Sequence, residues 1–193
     1  MEGSRADAKH IADELCQAYL SHSLTRRGYS DAIPRTMIAA CLSADVSRVF
    51  KFLQPLADSF EDLAPDVFHD LIPCLHITAR TAYKLFDHLA LEIFADGVNW
   101  GKIAALYALA GAVAVECVRR NWKRGVRSVY VCFSTFIREH LLEWIVDHDG
   151  WNGFMEWSGR RQQRGNDHFW TFAKIVGLVV LGGILLAAFA FGK

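Results

Sequence analysis

Residues 103–118, IAALYALAGAVAVECV, contain a single charged side chain, Glu116, and this run constrains the fold more than any other feature. A helix that is apolar on every face is stable only inside a protein core or a lipid bilayer. The stretch 100–118 could nearly cross a membrane, but Lys102 and Glu116 lie near its two ends. We therefore predict a central helix that amphipathic helices surround. Gly111 would allow one of those neighbours to approach closely.

A second apolar run, residues 175–191, carries no charge and lies near the C-terminal end. Its length is at the short end of what crosses a bilayer core of about 30 Å. Trp170 suits the membrane interface, and Lys174 can extend its ammonium group towards the lipid headgroups. We predict a C-terminal transmembrane anchor over residues 169–193, which would insert after synthesis and leave the body of the protein in the cytosol. A buried core helix is the alternative.

The composition argues against several classes of function. The chain has 21 basic and 21 acidic side chains, so no net field attracts nucleic acid. The five cysteines lack metal-binding spacing, which favours reduced thiols in a cytosolic setting, and the N-terminal MEGSRADAKH lacks the apolar stretch of a signal peptide. No phosphate loop or paired-histidine motif occurs, and Cys74 and His76 lack a third residue to orient them. We expect no enzymatic activity, no cofactor and no metal.

The remaining sequence has the hydrophobic spacing of helices and almost no strand-like alternation. Ile11, Leu15 and Tyr19 recur every four residues, and Gly28 follows as a stop signal. The predicted helices span residues 5–26, 37–63, a segment between an N-cap at Thr78 and a stop at Gly97, 100–119 and 123–143, with short segments at 144–148 and 151–157. The predicted fold class is all-α, with a helical domain over 1–158, a polar basic linker over 159–168 and the anchor over 169–193.

Four segments resemble, in order, the homology motifs of the B-cell-lymphoma-two (Bcl) family of apoptosis regulators. The tetrad NWGK (99–102) resembles the first motif, and LLEWIVDHDGWNGF (141–154) resembles the second. ADELCQAYLSHSLTRRGYS (12–30) is similar to the fourth motif of the pro-survival members, and VFKFLQPLADSF (49–60) occupies the place of the third motif, the death helix. LHITARTAY (75–83) is similar to the Bcl-x-type pro-survival branch.

The resemblance implies a bundle of about eight helices around one hydrophobic helix, and a function in recognition. In this family the death helix of a partner lies in a hydrophobic groove, and no cofactor takes part. The groove residues that the resemblance implies are Phe60, Ala64, Val67, Phe68, Leu71, Leu89, Ile93, Asn99, Gly101, Lys102 and Leu109. Asn99 and Gly101 would meet the ligand backbone, where glycine avoids a steric block. Apolar residues at helical spacing usually form core, so most of these side chains are expected to serve both purposes.

The sequence departs from the family pattern at Lys102, where an arginine usually follows the glycine and pairs with the ligand's aspartate. Lysine keeps the charge but loses the bidentate fork. A charge-assisted contact is worth about 1.5–3 kcal/mol, while an emptied anchor pocket commonly costs more than about 2 kcal/mol. Aliphatic anchors are therefore expected to dominate affinity. The alternative for Lys102 is a solvated side chain in the first turn of its helix.

Pro55 bears on whether the chain promotes survival or death. In pore-forming members the death helix leaves its own fold and docks in a neighbour's groove. A proline inside a helix costs about 3 kcal/mol and kinks it, so the segment 49–60 would be a poor donated ligand. Together with the fourth-motif similarity, this favours a pro-survival function. A pro-apoptotic pore former of the Bax/Bak/Bok-like branch remains open, because a lysine after Asn-Trp-Gly fits that branch as well. A non-apoptotic tail-anchored adaptor is the third possibility.

The expected partners follow from the pro-survival interpretation. They are pro-apoptotic Bcl-family proteins, bound through their death helices, and an intracellular membrane, contacted through residues 169–193. No nucleic acid is expected, and a homodimer or heterodimer is possible. The expected location is the outer mitochondrial membrane or the endoplasmic reticulum membrane, with the body facing the cytosol. Arg160, Arg161 and Arg164 are most simply a solvated linker, with attraction to anionic lipid as a second possibility.

Overall fold

The computed structural model describes residues 2–37, 42–63 and 82–164, and these ranges are helical without a β-strand. The helices are α1 (Glu2–Arg26), α2 (Ala44–Leu63), α3 (Ala82–Phe94), α4 (Trp100–Arg119), α5 (Gly125–Phe136), α6 (Leu142–Asp147) and α7 (Gly150–Arg164). Two 3-10 turns, Ser30–Ala32 and Arg35–Met37, follow α1, and a π-helical turn, Ile137–Leu141, joins α5 to α6. The predicted all-α fold class is confirmed.

Helix α4 is the centre of the bundle. Every residue from Trp100 to Val118 is buried, and α1, α2, α3 and α5 all pack against it. Among the described residues it is the one helix long and apolar enough to cross a membrane, yet it lies wholly inside the protein. The prediction of a buried central helix is therefore confirmed, and the surrounding helices remove its apolar surface from water.

The outer helices bury one apolar face each, as their hydrophobic spacing predicts. In α1, Leu15 and Tyr19 are no more than 1% exposed. Helices α2 and α3 each bury an apolar face as well. The fully or nearly fully buried residues on these two faces are Val46, Val49, Leu53, Ala57, Phe60, Phe86, Leu89, Ala90 and Ile93. All of them belong to one continuous core with α4.

The start of α2 differs from its prediction. Spacing alone predicts a helix from residue 37, whereas α2 begins at Ala44. The Ser43 hydroxyl accepts a hydrogen bond from the backbone N–H of Val46 at 3.3 Å, and the Ser43 carbonyl accepts one from Ser47 at 2.9 Å. A serine that satisfies first-turn amides is a helix N-cap, and this cap sets the start of α2.

The segment predicted as a helix over 123–143 is helical from Gly125 onwards, but its hydrogen-bond register changes at the π-helical turn after Phe136. A π turn inserts one extra residue, so Leu141 and Leu142 are both buried although they are adjacent in sequence. Helix α6 then ends before Asp149 and Gly150, whose φ angles of 63° and 55° make the turn that the sequence predicts.

Helix α7 is longer than its prediction. It continues through Arg164, so the segment 159–168, whose composition predicts a linker, begins as helix. The predicted anchor over 169–193 lies outside the described residues. So does the predicted N-cap Thr78. Of the segment that precedes α3, only the helix from Ala82 onwards is described.

Gly111 lies where α1 crosses α4. A Cβ atom at Gly111 would lie 3.0 Å from Tyr19 Cε1 and 3.1 Å from Ser23 Cβ, and closer still to the Ser23 hydroxyl. These distances are shorter than ordinary van der Waals contact, and the side chains they meet are buried. Glycine is therefore required for the observed separation of the two helices.

Gly111→Ala should destabilise the bundle relative to a matched glycine. Alanine gains up to about 1 kcal/mol of helix propensity over glycine, and overpacking at Gly111 costs about 1–3 kcal/mol. In α7, a Cβ at Gly159 meets nothing within 4 Å, so Gly159→Ala isolates the propensity gain. Chemical denaturation should show Gly111→Ala to be less stable than Gly159→Ala by about 1–3 kcal/mol. Equal stabilisation by the two substitutions would contradict the close approach.

Candidate ligand-binding site

The turn between α3 and α4 shapes the first-motif region. Gly97 adopts a φ of 107° and its N–H donates to the Phe94 carbonyl at 2.9 Å, which ends α3. Asn99 is extended, with φ −154° and ψ 165°, and its side-chain Oδ1 accepts from the Lys102 N–H at 3.0 Å. Asn99 is therefore the N-cap of α4. This capping role was not predicted, although asparagine before an apolar helix is a common start signal.

Trp100 joins the first-motif region to the second. Its ring lies 4.9 Å from that of Trp144 in α6, and 6.0 and 5.7 Å from those of Trp151 and Phe154 in α7, centroid to centroid. Trp151 also donates its indole N–H to the Ala8 carbonyl of α1 at 2.9 Å. Aromatic pairs at these separations add to the hydrophobic stabilisation. The two motifs thus form one packed unit at the start of α4.

Lys102 is buried, so the alternative of a solvated side chain is wrong. Its side chain is 5% exposed, and its Nζ donates to the Gly97 carbonyl at 2.9 Å and to the carboxylate of Asp96. Asp96 itself is 74% exposed. The hydrogen bond from Lys102 lowers the pKa of the Asp96 carboxyl. The buried ammonium group is therefore neutralised by a carboxylate that water can reach, and another carboxylate could take its place.

The apolar groove residues within the described ranges lie together in the core. Phe60, Leu89, Ile93 and Leu109 are at most 2% exposed and come from three helices, α2, α3 and α4. Of the groove residues predicted at the start of α4, Asn99 is exposed and Gly101 is buried. The predicted members Ala64, Val67, Phe68 and Leu71 lie outside the described residues. The groove therefore stays a prediction, with its described side chains serving as core.

The chain's own death-helix segment is held in the bundle by α1. Asp58 of α2 accepts a hydrogen bond from the Tyr19 hydroxyl at 3.1 Å and lies 2.9 Å from His22 Nε2 and 3.3 Å from Arg26 Nη1. We call Asp58 and these three α1 residues the α1–α2 latch. On the adjoining face of α2, Leu53 lies in the core with the other buried α2 residues named above. Both faces of the segment thus contact the rest of the fold.

Pro55 lies on the solvent side of α2, and the helix continues through it. Proline lacks the N–H that would bond the carbonyl of Lys51, one turn earlier. Lys51 is exposed as well, so water can reach that region of the backbone. The proline is therefore tolerated while α2 stays in the bundle.

Three cysteines in the described ranges, Cys16, Cys117 and Cys132, are free and buried. Burial raises the pKa of the Cys117 thiol to about 12 and that of Cys132 to about 11, and it raises the pKa of Cys16 strongly. Such thiols are poor nucleophiles at neutral pH. Within the same ranges, no group of three His, Cys, Asp or Glu side chains is placed to hold a metal ion.

An all-helical bundle around an apolar helix, with the first- and second-motif regions packed together, places the chain among helical regulators of apoptosis. The sequence model described as "Apoptosis regulator proteins, Bcl-2 family" matches residues 53–151. The chain belongs to the Bcl-2 family, as the resemblance in its sequence predicts.

Two relatives show where the chain lies within that family. It is 35% identical over 147 residues to Bcl-2-like protein 1 of Homo sapiens, an alignment covering 72% of this chain and 63% of that protein. It is 32% identical over 145 residues to the Bcl-2-related ovarian killer protein of Gallus gallus, covering 72% and 67%. The chain thus spans less than two thirds of the length of Bcl-2-like protein 1. It is similar in sequence both to that protein and to the ovarian killer protein.

Solved structures support the fold. The structure of Trichoplax adhaerens trBcl-2L2 bound to trBak BH3 superposes with a TM-score of 0.69 at 24% identity, covering 77% of this chain and 97% of that one. The crystal structure of chicken BOK superposes with a TM-score of 0.65 at 28% identity, covering 79% and 97%. The bundle is therefore the Bcl-2 fold, which both neighbours share.

The ion pair between Lys102 and Asp96 should make stability depend on pH. Because the folded-state pKa of Asp96 is lowered, the contribution is present above the unfolded pKa of about 4 and is lost as pH falls through the folded value. Asp96 is mostly exposed, so the expected size is only about 0.5–1 kcal/mol. Asp96→Asn should lower the free energy of unfolding at pH 7, and this deficit should disappear as pH falls below the folded-state pKa of Asp96.

The matched control is Asp147→Asn, at an exposed aspartate at the end of α6. Denaturant titrations at several pH values should show little change for this control anywhere in the range. A deficit of Asp96→Asn that persists unchanged at acid pH would contradict the ionic origin of the contact.

Proposed function

We propose that this chain is a pro-survival regulator that binds the death helices of pro-apoptotic family members in its hydrophobic groove. The observation that carries the proposal is the retention of its own death-helix segment, with apolar anchors in the core and Asp58 in the α1–α2 latch. A chain whose death helix is so engaged is suited to receive a helix and poorly suited to donate one. Recognition of an amphipathic helix by a groove is the corresponding binding mode.

The start of α4 is the proposed polar end of the ligand site. A ligand carboxylate would displace the exposed Asp96 from Lys102, exchanging one ion pair for another. Because that exchange replaces an existing contact, its net contribution is smaller than that of a new ion pair. The neighbour trBcl-2L2 is bound to trBak BH3, so a closely similar backbone holds such a helix.

Pro55 also favours the pro-survival function. A donated death helix must form as a regular helix in another molecule's groove, where an interior proline costs about 3 kcal/mol. In its own fold, the packing of α2 against α1, α4 and α7 offsets that cost. Leaving the bundle would forfeit this packing and break the α1–α2 latch.

A pore-forming effector is the second candidate. It is favoured by the similarity to the ovarian killer protein of Gallus gallus and to chicken BOK. Under this alternative the α1–α2 latch would open and α4 would leave the core for the bilayer, which its length and hydropathy permit. The two candidates therefore differ in whether the bundle opens.

We propose that the pro-survival activity takes place at an intracellular membrane, the outer mitochondrial or the endoplasmic reticulum membrane. Residues 169–193 would supply the anchor, because residues 175–191 form an uncharged run near the spanning length. The anchor lies outside the described residues. The pro-apoptotic partners would then be captured on the cytosolic face.

A titration and a leakage assay on the full chain separate the two candidates. Death-helix peptides are titrated into the chain by fluorescence anisotropy, and the chain is then added with an activating peptide to dye-loaded vesicles. Sub-micromolar binding without dye release is expected. Gly101→Glu, which places a charged side chain at a buried position of the α4 start, should abolish peptide binding while circular dichroism shows unchanged helicity. Dye release by the unmodified chain would favour the effector.

Changes on the ligand test the site without altering this fold. Replacing one aliphatic anchor of the peptide by alanine should weaken binding roughly 30-fold or more. Replacing the peptide's aspartate by asparagine should weaken binding by less than about tenfold, because Lys102 then keeps Asp96 as its partner. The reverse ranking would show that the ion pair, and not the anchors, dominates affinity. Loss of affinity from neither change would place the ligand site elsewhere.

A further inference from the structure

A cavity of about 780 Å³ lies at the end of the bundle where α4 turns into α5. Its lining in the described ranges comes from the loop after α1, from Tyr83 of α3, and from the turn and first half of α5. We call it the basic pocket, and its lining residues are Asp31, Ala32, Ile33, Pro34, Tyr83, Lys123, Arg124, Arg127, Ser128, Val131 and Cys132. The volume is typical of a ligand site.

The basic pocket has an excess of positive charge in a chain that has none overall. Three of its lining side chains are cationic, and Asp31 is the acidic one in the lining. Asp31 lies 3.4 Å from Lys123, with both side chains more than 60% exposed. Arg124 and Arg127 are exposed, and no ion pair or hydrogen bond of either guanidinium group is present in the described part of the chain. Two arginines are thus left for an external anion.

The two arginines that come before this cluster in the sequence form ion pairs within the fold. Arg119 and Arg120 bind the carboxylate of the buried Glu116, at 3.2 and 2.7 Å. They neutralise a charge that α4 carries into the core. The segment RRNWKRGVR (119–127) therefore contains two arginines that bind Glu116, a lysine that pairs with Asp31, and two arginines, Arg124 and Arg127, that the described part of the chain leaves available.

Apolar side chains are exposed next to these cations. Val131 is 49% exposed and Tyr83 is 48% exposed, and both line the basic pocket. Arg124, the N-cap of α5, is followed by Arg127 and Val131 at spacings of three and four residues, so the three share one helix face. That face is cationic at its start and apolar one turn later.

We propose that the basic pocket docks the protein onto a membrane that contains anionic phospholipid. Headgroup phosphates contact Arg124 and Arg127, and the glycerol and upper acyl region contacts Val131 and Tyr83. Membrane interfaces favour tyrosine at this depth and attract cations that face anionic lipid. An acidic protein segment would satisfy the arginines but would leave the exposed apolar side chains unexplained, and a lipid satisfies both.

The basic pocket and the ligand site lie at opposite ends of α4. The helix has 20 residues and therefore spans roughly 30 Å, which separates Asn99 from the α4–α5 turn. Docking through the basic pocket thus leaves the start of α4 open to a death helix. The two contacts can be tested independently.

The test measures amide hydrogen exchange of residues 120–128 in the full chain with vesicles. One set contains phosphatidylcholine alone, and the other contains about one third phosphatidylserine. Each basic side chain at an anionic surface contributes roughly fivefold in affinity. Protection of the turn should therefore rise at least roughly fivefold on the anionic vesicles, and added salt should reverse it.

The charge-reversed variant Arg124→Glu/Arg127→Glu should return protection to the value on neutral vesicles while retaining its affinity for death-helix peptides. The control Arg48→Glu/Lys51→Glu makes the same change in net charge at exposed positions on α2 that do not line the basic pocket, and should keep the anionic-lipid protection. Equal protection on the two vesicle types, or equal loss in both variants, would overturn the proposal. So would protection by a soluble polyglutamate peptide but not by anionic vesicles, which would assign the surface to an acidic protein partner.

Discussion

Burial of α4 is the constraint on which the rest of the structure depends. A helix without a polar face must be enclosed, so the outer helices are arranged by the need to cover it. The helix nevertheless carries two charges into the core, Lys102 in its first turn and Glu116 in its last. Buried charges persist only with partners. Lys102 has Asp96 and the Gly97 carbonyl, and Glu116 has two arginines from the following turn.

These two ion pairs relate the proposed ligand site and the basic pocket to the two ends of α4. At the start, the partner of Lys102 is a solvent-exposed aspartate, which a ligand carboxylate can replace. At the other end, Glu116 occupies Arg119 and Arg120, and the next cations in the chain face the basic pocket. In the middle of the helix, Gly111 allows the close approach of α1.

The sequence predicts those parts of the structure that follow from local pattern. The long uninterrupted apolar run identifies α4, and the four-residue spacing of apolar residues identifies α1, because the spacing of apolar residues indicates which faces of a helix are buried. Hydrogen bonds that set a helix end or change its register are harder to predict from spacing. The Ser43 cap starts α2 at Ala44 and not at residue 37, and one extra residue in the π-helical turn changes the register within the helix predicted over 123–143. The partner of Lys102 depends on how the Asp96–Asn99 turn closes, which spacing does not reveal. The segment 119–127 could have been read as a charge run, but only the structure separates its paired arginines from those that line the basic pocket.

The two candidate functions make opposite demands on the bundle: a pro-survival regulator keeps it closed, whereas a pore-forming effector would open it. Closure is maintained by the α1–α2 latch and by the burial of α4, and opening would expose Cys16 in α1 and Cys117 in α4. Both thiols are protected by burial, which raises their pKa values. The most direct test of the pro-survival account is site-resolved alkylation of these two cysteines by mass spectrometry, with the full chain on vesicles and a death-helix peptide present. The account predicts that both remain unlabelled while peptide is bound; rapid labelling of Cys16 and Cys117 on peptide addition would contradict it.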